Sequence, residues 1–194
     1  IPGVGVHTIS VAFSLPEITE PVVIDGYTQP GARANTKAIG SDAVLLVEVR
    51  DSTSPAGFIL ATHGSTLRGL VVNRGGEANI RIQGDDNTVE GCYVGTSADG
   101  TAIPAFNNVI FGVEFFGGGE SVQGNLIGGS SPAARNLISG NGFGIGTLYP
   151  TSVGNNRRLG NYIGTDKTGT VALDNSDDGV WLGSSAGRII GGDN

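Results

Sequence analysis

The chain repeats itself, and this self-similarity constrains its fold more than any other feature of the sequence. Residues 91–101 (GCYVGTSADGT) align with residues 160–170 (GNYIGTDKTGT), 69 positions later, and keep the tyrosine and all three glycines. A second pair, residues 121–129 (SVQGNLIGG) and 184–192 (SSAGRIIGG), recurs after 63 positions. Two types of strand therefore alternate along the chain, which predicts a repeating unit of two coils.

The segments between the repeats indicate an all-β chain. Short apolar runs are bounded by Gly, Asn, Ser or Asp, and no segment has the 3.6-residue periodicity of a helix. Residues 66–72 precede the similar residues 88–94 by 22 positions, which fits one coil of a parallel β-helix. A β-sandwich or a β-propeller is the competing fold, but sandwich strands rarely repeat in sequence and propeller blades need roughly 40–50 residues. We therefore predict one parallel β-helix domain over residues 1–194, with about seven coils.

Glycine has a structural role in such a fold. It supplies 34 of the 194 residues, well above its usual share of roughly 7 per cent. A corner of a coil needs either a positive φ or room for the neighbouring backbone, and a residue without Cβ meets both needs. Glycines that precede an apolar triplet are predicted to mark one corner of successive coils: Gly69, Gly91, Gly124, Gly160 and Gly187. Asparagines are predicted to bond to the backbone at corners: Asn87, Asn108, Asn125, Asn136, Asn141 and Asn161.

The stacking also predicts columns of side chains and longer corner loops. The longer intervals in the C-terminal half predict loops inserted at 96–106, 129–142 and 165–178. One inward column is expected to contain Leu67, Val89 and Val122. A second inward column is expected to contain Val72, Val94, Ile127, Ile163 and Ile190. One outward column is expected to place Arg68 between two carboxylates, and consists of Asp25, Glu48, Arg68, Glu90 and Gln123.

Charge and composition exclude several classes of partner. The formal net charge is −7 and no basic run is present, which argues against nucleic acid. No apolar run approaches the roughly 20 residues of a transmembrane helix, so we do not expect membrane insertion. The single cysteine, Cys92, permits no internal disulfide, and it leaves the cellular compartment undecided.

Several phrases resemble the right-handed parallel β-helix repeat proteins of bacteria, within the pectin-lyase-like superfamily. These phrases are residues 160–170, the Ile-Gly-Gly at 127–129 and 190–192, residues 134–141 (ARNLISGN), and residues 15–31 (LPEITEPVVIDGYTQPG). The resemblance covers essentially the whole chain. It implies a right-handed β-helix and an extracellular or bacterial cell-surface location, within a longer secreted or surface protein of which this chain is a segment.

The resemblance suggests two functions. The first is a non-catalytic scaffold or adhesin segment, with the longer loops forming a face that binds polysaccharide or cell-surface glycan. An uncapped β-helix end also presents unpaired strand edges, which would allow end-to-end self-association. The second function is enzymatic, because polysaccharide lyases and glycoside hydrolases use this fold. The residues that come nearest to such a site are Arg81, Asp85, Asp86 and Glu90.

The sequence also suggests two further ligand sites, a calcium site and a residue that stacks on sugar. Carboxylates in the loop 165–178 supply oxygen ligands of the kind that calcium favours, namely Asp166, Asp174, Asp177 and Asp178. The loop matches no established calcium motif, and turn chemistry explains the same residues. Trp181 is the best single candidate for stacking on a sugar ring, although strand side chains alternate and core packing is the competing interpretation of these aromatic residues.

Overall fold

The computed structural model is a right-handed parallel β-helix, as predicted. It describes residues 1–51, 55–105, 107, 109–118, 121–148, 153–183 and 189–191. Within these residues the chain forms six coils, and each coil passes through three parallel sheets in the same order. The described part of the chain has no helix with the length and hydrophobicity of a bilayer-spanning segment.

All three sheets pair equivalent strands of successive coils. The first sheet contains β1 (His7–Val11), β3 (Val47–Asp51), β6 (Val71–Asn73), β9 (Tyr93–Val94), β13 (Leu137–Ile138) and β17 (Tyr162–Ile163). The second contains β4 (Ala56–Leu60), β7 (Ala78–Ile82), β10 (Phe111–Phe116) and β14 (Phe143–Leu148). The third contains β2 (Val23–Asp25), β5 (Thr66–Arg68), β8 (Thr88–Glu90), β12 (Leu126–Gly128), β16 (Arg157–Leu159) and β18 (Ile189–Ile190). A separate pair joins β11 (Val122–Gln123) to β15 (Val153–Gly154).

The described chain has six coils instead of the predicted seven. The first coil completes its second sheet through a bridge between Ile18 and Leu60, and the last does so through Ile145 and Val180. The predicted loop 129–142 is also wrong as a single insert, since it contains a 3₁₀ turn at Pro132–Ala134 and strand β13.

The interior is filled by residues that stack along the axis. One inward column of the third sheet runs through Leu67, Val89 and Ile127, which are fully buried. The prediction that Val122 belongs to this column is wrong, because the fourth coil has an extra strand, β11, at the preceding corner. The next residue in the column is Arg158, whose guanidinium lies 4.5 Å from the centre of the Phe115 ring.

The corner after the third sheet contains most of the predicted glycines. Strand register aligns Gly69 and Gly91 with Gly129 and Gly160, so the assignment of Gly124 to this corner is wrong. Gly91 has a φ of +60°, and a Cβ there would lie 2.7 Å from a backbone carbonyl oxygen. Gly124 belongs to the corner before the third sheet, and Gly187 lies outside the described residues.

Buried asparagines bond one coil to the next at the corner before the third sheet. The Oδ1 of Asn87 accepts from the Ser65 backbone N–H at 2.9 Å. The Oδ1 of Asn125 accepts from the Asn87 N–H at 2.8 Å, and the Oδ1 of Asn156 accepts from the Asn125 N–H at 2.9 Å. This asparagine ladder confirms the predicted role of asparagine at corners, while Asn108 lies outside the described residues.

Residues 27–46, which we call the strap, run along the outside of the first sheet. Leu45 packs in one cluster with Val71, Tyr93 and Leu137, which come from the third, fourth and fifth coils. The guanidinium of Arg135 donates to the carbonyl oxygens of residues 37, 38 and 40 at 2.9–3.3 Å. The strap therefore covers the outer face of the first sheet and connects several coils.

Candidate functional site

Over the last three coils, the corner between the first and second sheets alternates between long and short connections. In the fourth and sixth coils it consists of residues 95–110 and 164–179, whereas in the fifth coil it consists only of residues 139–142. Stacked strands lie about 4.8 Å apart, so two loops separated by one short corner stand roughly 10 Å apart. The long loops thus form the walls of a groove, and the short corner forms its floor.

The groove has a volume of about 420 Å³. The loops touch where the backbone N–H of Lys167 donates to the carbonyl oxygen of Gly100 at 2.9 Å, which bounds the groove on that side. Ile103 and Ile110 line one wall and are 43% and 48% exposed. The described lining consists of Ile103, Asn107, Val109, Ile110, Gly140, Asn141, Gly142, Asp174, Ser176 and Asp177.

The amides in the groove hold the backbone in place. Asn107 donates through Nδ2 to the carbonyl oxygens of Gly95 and Gly140, at 3.1 and 2.6 Å, and its Oδ1 accepts from the Arg74 N–H. Asn141 is buried on the floor and its Oδ1 accepts from the Nδ2 of Asn79 at 2.8 Å. Because their hydrogen-bonding capacity is largely used internally, these amides position the loops and are poor ligand contacts.

Three polar side chains in the groove face solvent instead. Asp174, Ser176 and Asp177 are exposed, and their side chains make no hydrogen bond or ion pair with another described residue. None of the lining residues given above is Lys, Arg or His. The groove therefore offers two carboxylates and a hydroxyl beside apolar side chains, which is the mixture expected of a pocket for a small polar ligand.

The proposed lyase residues are distributed over two sheets and a corner. Arg81 lies on β7 of the second sheet, whereas Glu90 lies on β8 of the third sheet, 3.8 Å from Arg68. Asp85 lies at the corner between them, where it accepts from the Gln123 N–H at 2.7 Å, and Asp86 occupies a turn with a φ of +57°. No ion pair of the described residues joins two members of this set, and its catalytic role stays a prediction.

Arg81 is instead buried between two carboxylates, of which Glu114 is buried and Glu77 is exposed. Its Nε lies 2.6 Å from Glu114 Oε2, and its Nη2 lies 2.6 Å from Glu77 Oε2. Glu114 is completely buried, and burial raises its pKa although the Arg81 guanidinium acts in the opposite direction. Phe116 covers the guanidinium at 4.6 Å. This arrangement stabilises the outer face of the second sheet and leaves little access for a substrate.

The predicted outward charge column is confirmed in part. Arg68 Nη2 lies 2.6 Å from Asp25 Oδ2, and Arg68 Nη1 lies 3.8 Å from Glu90 Oε1, so it stands between two carboxylates. Glu48 lies in the first sheet, where its Oε1 accepts from Asn73, and Gln123 lies in β11, so both were wrongly assigned to this column.

The calcium candidates do not form one cluster. Asp166 uses Oδ1 to accept from the N–H and hydroxyl of Thr168, which closes its own turn. Asp174 and Asp177 line the groove, whereas Asp178 is outside the groove lining. Within the described ranges, no group of three or more His, Cys, Asp or Glu side chains is placed to hold a metal ion.

Trp181 belongs to a three-ring cluster on the outer face of the second sheet. Its ring centre lies 5.3 Å from that of Phe143 and 6.2 Å from that of Phe111. The Phe111 ring occupies the space above Gly146, where a Cβ would overlap with it. These ring contacts account for the position of Trp181, which is half-buried. Its role as a ligand contact stays a prediction.

Ser121 and His63 line a second pocket of about 240 Å³, with Asp85 close to His63. Asp85 Oδ2 lies 3.9 Å from His63 Nδ1, and the Asp85 backbone N–H donates to the same nitrogen at 3.2 Å. An Nδ1 that accepts this bond leaves the proton on Nε2, which is the wrong tautomer for a base that takes a proton from serine. The grouping therefore does not form a catalytic triad.

No family model matches the chain, and neither the curated proteins nor the solved structures include a significant match to it. The function is therefore argued from the geometry of the groove. One sequence signal points to the groove: the related loop phrases at 95–102 and 164–172 mark the fourth and sixth coils, and the fifth coil has no such phrase.

Proposed function

We propose that this chain is a non-catalytic β-helix scaffold of the pectin-lyase-like kind, and that its groove binds carbohydrate. The observation that carries the proposal is the groove between two long loops, floored by a short corner. Exposed isoleucines beside hydrogen-bonding groups suit a sugar ring, which has apolar faces and hydroxyl edges.

The rigidity of the floor also supports binding. Gly140 has a φ of +76°, and a Cβ there would lie 2.9 Å from the Ile103 side chain. The buried Asn141 beside it joins the corner to the sixth coil, because its backbone N–H donates to Asn175 Oδ1 at 3.0 Å. A preformed site loses little conformational entropy when a ligand binds.

A glycan array followed by a groove-filling variant tests the proposal. We expect Ser176→Trp to abolish binding of the glycans that the native chain retains, because the indole occupies the groove. Val171→Trp is the matched control, since Val171 is 56% exposed in the same loop and does not line the groove. Equal binding by the two variants, or no retained glycan at all, would overturn the proposal.

Glycoside hydrolysis is the second candidate, and one observation favours it. Asp174 and Asp177 share the groove, and glycoside hydrolysis commonly uses a pair of carboxylates. New reducing ends released from a bound oligosaccharide, and lost in Asp177→Asn, would establish hydrolysis and remove the non-catalytic proposal. Unsaturated products that depend on Arg81 would instead favour the lyase set.

The location and assembly of the protein remain proposals as well. We infer an extracellular or cell-surface location from the resemblance of the repeat phrases, and fractionation of the source cells with an antibody against the chain tests it. End-to-end self-association stays a prediction, and light scattering at increasing protein concentration tests it, since a constant monomer mass would contradict it.

A further inference from the structure

We propose that the groove selects amino sugars in their protonated form over neutral sugars and uronates. The inference rests on the carbohydrate-binding function proposed above and adds the charge of the ligand. Its basis is the electrostatic character of the described lining, which contains two carboxylates and no Lys, Arg or His.

The carboxylates make the groove unfavourable for an acidic glycan. Asp174 and Asp177 are exposed and have no ion pair among the described residues. A uronate would bring a third negative charge into the groove of a chain whose net charge is already −7. The carboxylates would repel the uronate, whereas they would attract the positive charge of a protonated amine.

The remaining lining favours a cation that carries a ring and hydroxyl groups. The described residues contain no group of three His, Cys, Asp or Glu side chains placed to hold a metal ion. Ser176 and the carboxylates can accept hydrogen bonds from sugar hydroxyls and from an ammonium group. Ile103 and Ile110, both about half exposed, can cover the apolar face of a pyranose ring.

Isothermal titration calorimetry with three tetrasaccharides at about pH 6 tests the inference, because a glucosamine amine is then protonated. The probes are the fully deacetylated glucosamine tetramer, its fully N-acetylated form and tetragalacturonate. We expect the deacetylated probe to bind at least about tenfold more tightly than the other two. Its affinity should fall as salt rises from about 0.05 to 0.5 M, because the attraction between charges is screened.

Charge-neutralising variants locate the effect in the groove. Asp174→Asn and Asp177→Asn should each weaken binding of the deacetylated probe by roughly five- to tenfold. Asp178→Asn is the matched control, because it removes the same charge from the same loop outside the groove lining, and it should change affinity less than about twofold. Circular dichroism of all three variants checks that the fold is kept.

The outcomes separate this inference from the proposed function. Equal affinity for the acetylated and deacetylated probes, unchanged by Asp174→Asn and Asp177→Asn, would refute charge selection and leave carbohydrate binding standing. A preference for tetragalacturonate, with or without calcium, would also refute it. Failure of all three probes and of every glycan on the array would refute the proposed function itself.

Discussion

Replacing Asn125 with alanine tests whether the asparagine ladder holds the coils together. Asn125 is completely buried, and its side chain contacts the coils on both sides. Its Oδ1 accepts from the Asn87 N–H at 2.8 Å. Its Nδ2 donates to the Gly84 carbonyl oxygen at 3.0 Å and to Asn156 Oδ1 at 2.9 Å.

The expected cost follows from the groups that Asn125→Ala leaves without a partner. The Asn87 N–H and the Gly84 carbonyl lose the bonds described above, while Asn156 Oδ1 still accepts from the Asn125 backbone at 2.9 Å. A buried polar group that loses its partner costs about 1–3 kcal/mol. Two such groups predict that the free energy of unfolding falls by about 2–6 kcal/mol.

Urea denaturation followed by circular dichroism measures this change. Gln123→Ala is the control, because Gln123 is exposed two residues earlier and the change should cost less than about 0.5 kcal/mol. Asn125→Asp keeps the oxygen that accepts from the Asn87 N–H. It replaces the donor to the Gly84 carbonyl with a carboxylate oxygen, so two acceptors then face each other. Burial should raise the pKa of that carboxyl, so the variant should lose stability as pH rises above the usual aspartate range and regain it in acid. If Asn125→Ala costs no more than Gln123→Ala, the argument fails.

Four other predictions concern the strap, the aromatic cluster, the buried ion pair and the cysteine. Arg135→Lys should free the strap, because lysine lacks the planar fork that bonds three carbonyls, and limited proteolysis should cut within residues 27–46 faster than in the native chain. Gly146→Ala should displace the Phe111 ring and destabilise the fold by about 1–3 kcal/mol, with an altered tryptophan emission spectrum; an unchanged spectrum would contradict the ring contact. Burial raises the pKa of Glu114 above its ordinary 4.5, so its contribution to stability is present below that value and is lost as pH rises. Glu114→Gln cannot ionise, so its free energy of unfolding, measured by urea denaturation across acidic pH, should rise relative to that of the native chain as pH increases. Burial also raises the pKa of Cys92 to about 12, so a thiol reagent should label it only after unfolding, and rapid labelling of the native chain would refute this.

The sequence predicts the repeat well where coils have equal length. The interval of 22 residues between Gly69 and Gly91 is a true coil repeat, and it correctly places Arg68 between Asp25 and Glu90. The prediction fails at Gly124, where the fourth coil adds a strand and moves the equivalent glycine to Gly129. An inserted strand shifts the register without changing the local sequence pattern, so pattern matching aligns the wrong glycine.

The candidate site was predictable only in outline. Longer loops in the C-terminal half were expected from the intervals, and the loops 96–106 and 165–178 agree with the connections observed. The sequence indicates Asp174 and Asp177 as possible ligands, but in one set with Asp166 and Asp178, which lie outside the groove lining. The opposing wall is some 70 residues earlier in the chain, at Ile103 and Ile110, and only stacking brings the two walls together.

The sequence by itself determined the class of fold, because a two-coil repeat of short strands with corner glycines and asparagines can bury its apolar side chains only by stacking. Tertiary structure decided what covers each face of the stack. The strap over the first sheet, Arg158 in the inward column and the groove between alternate loops all depend on contacts between distant segments. Such contacts produce no repeating pattern in the sequence, because each of them occurs only once. The coils above and below determine which side chains meet.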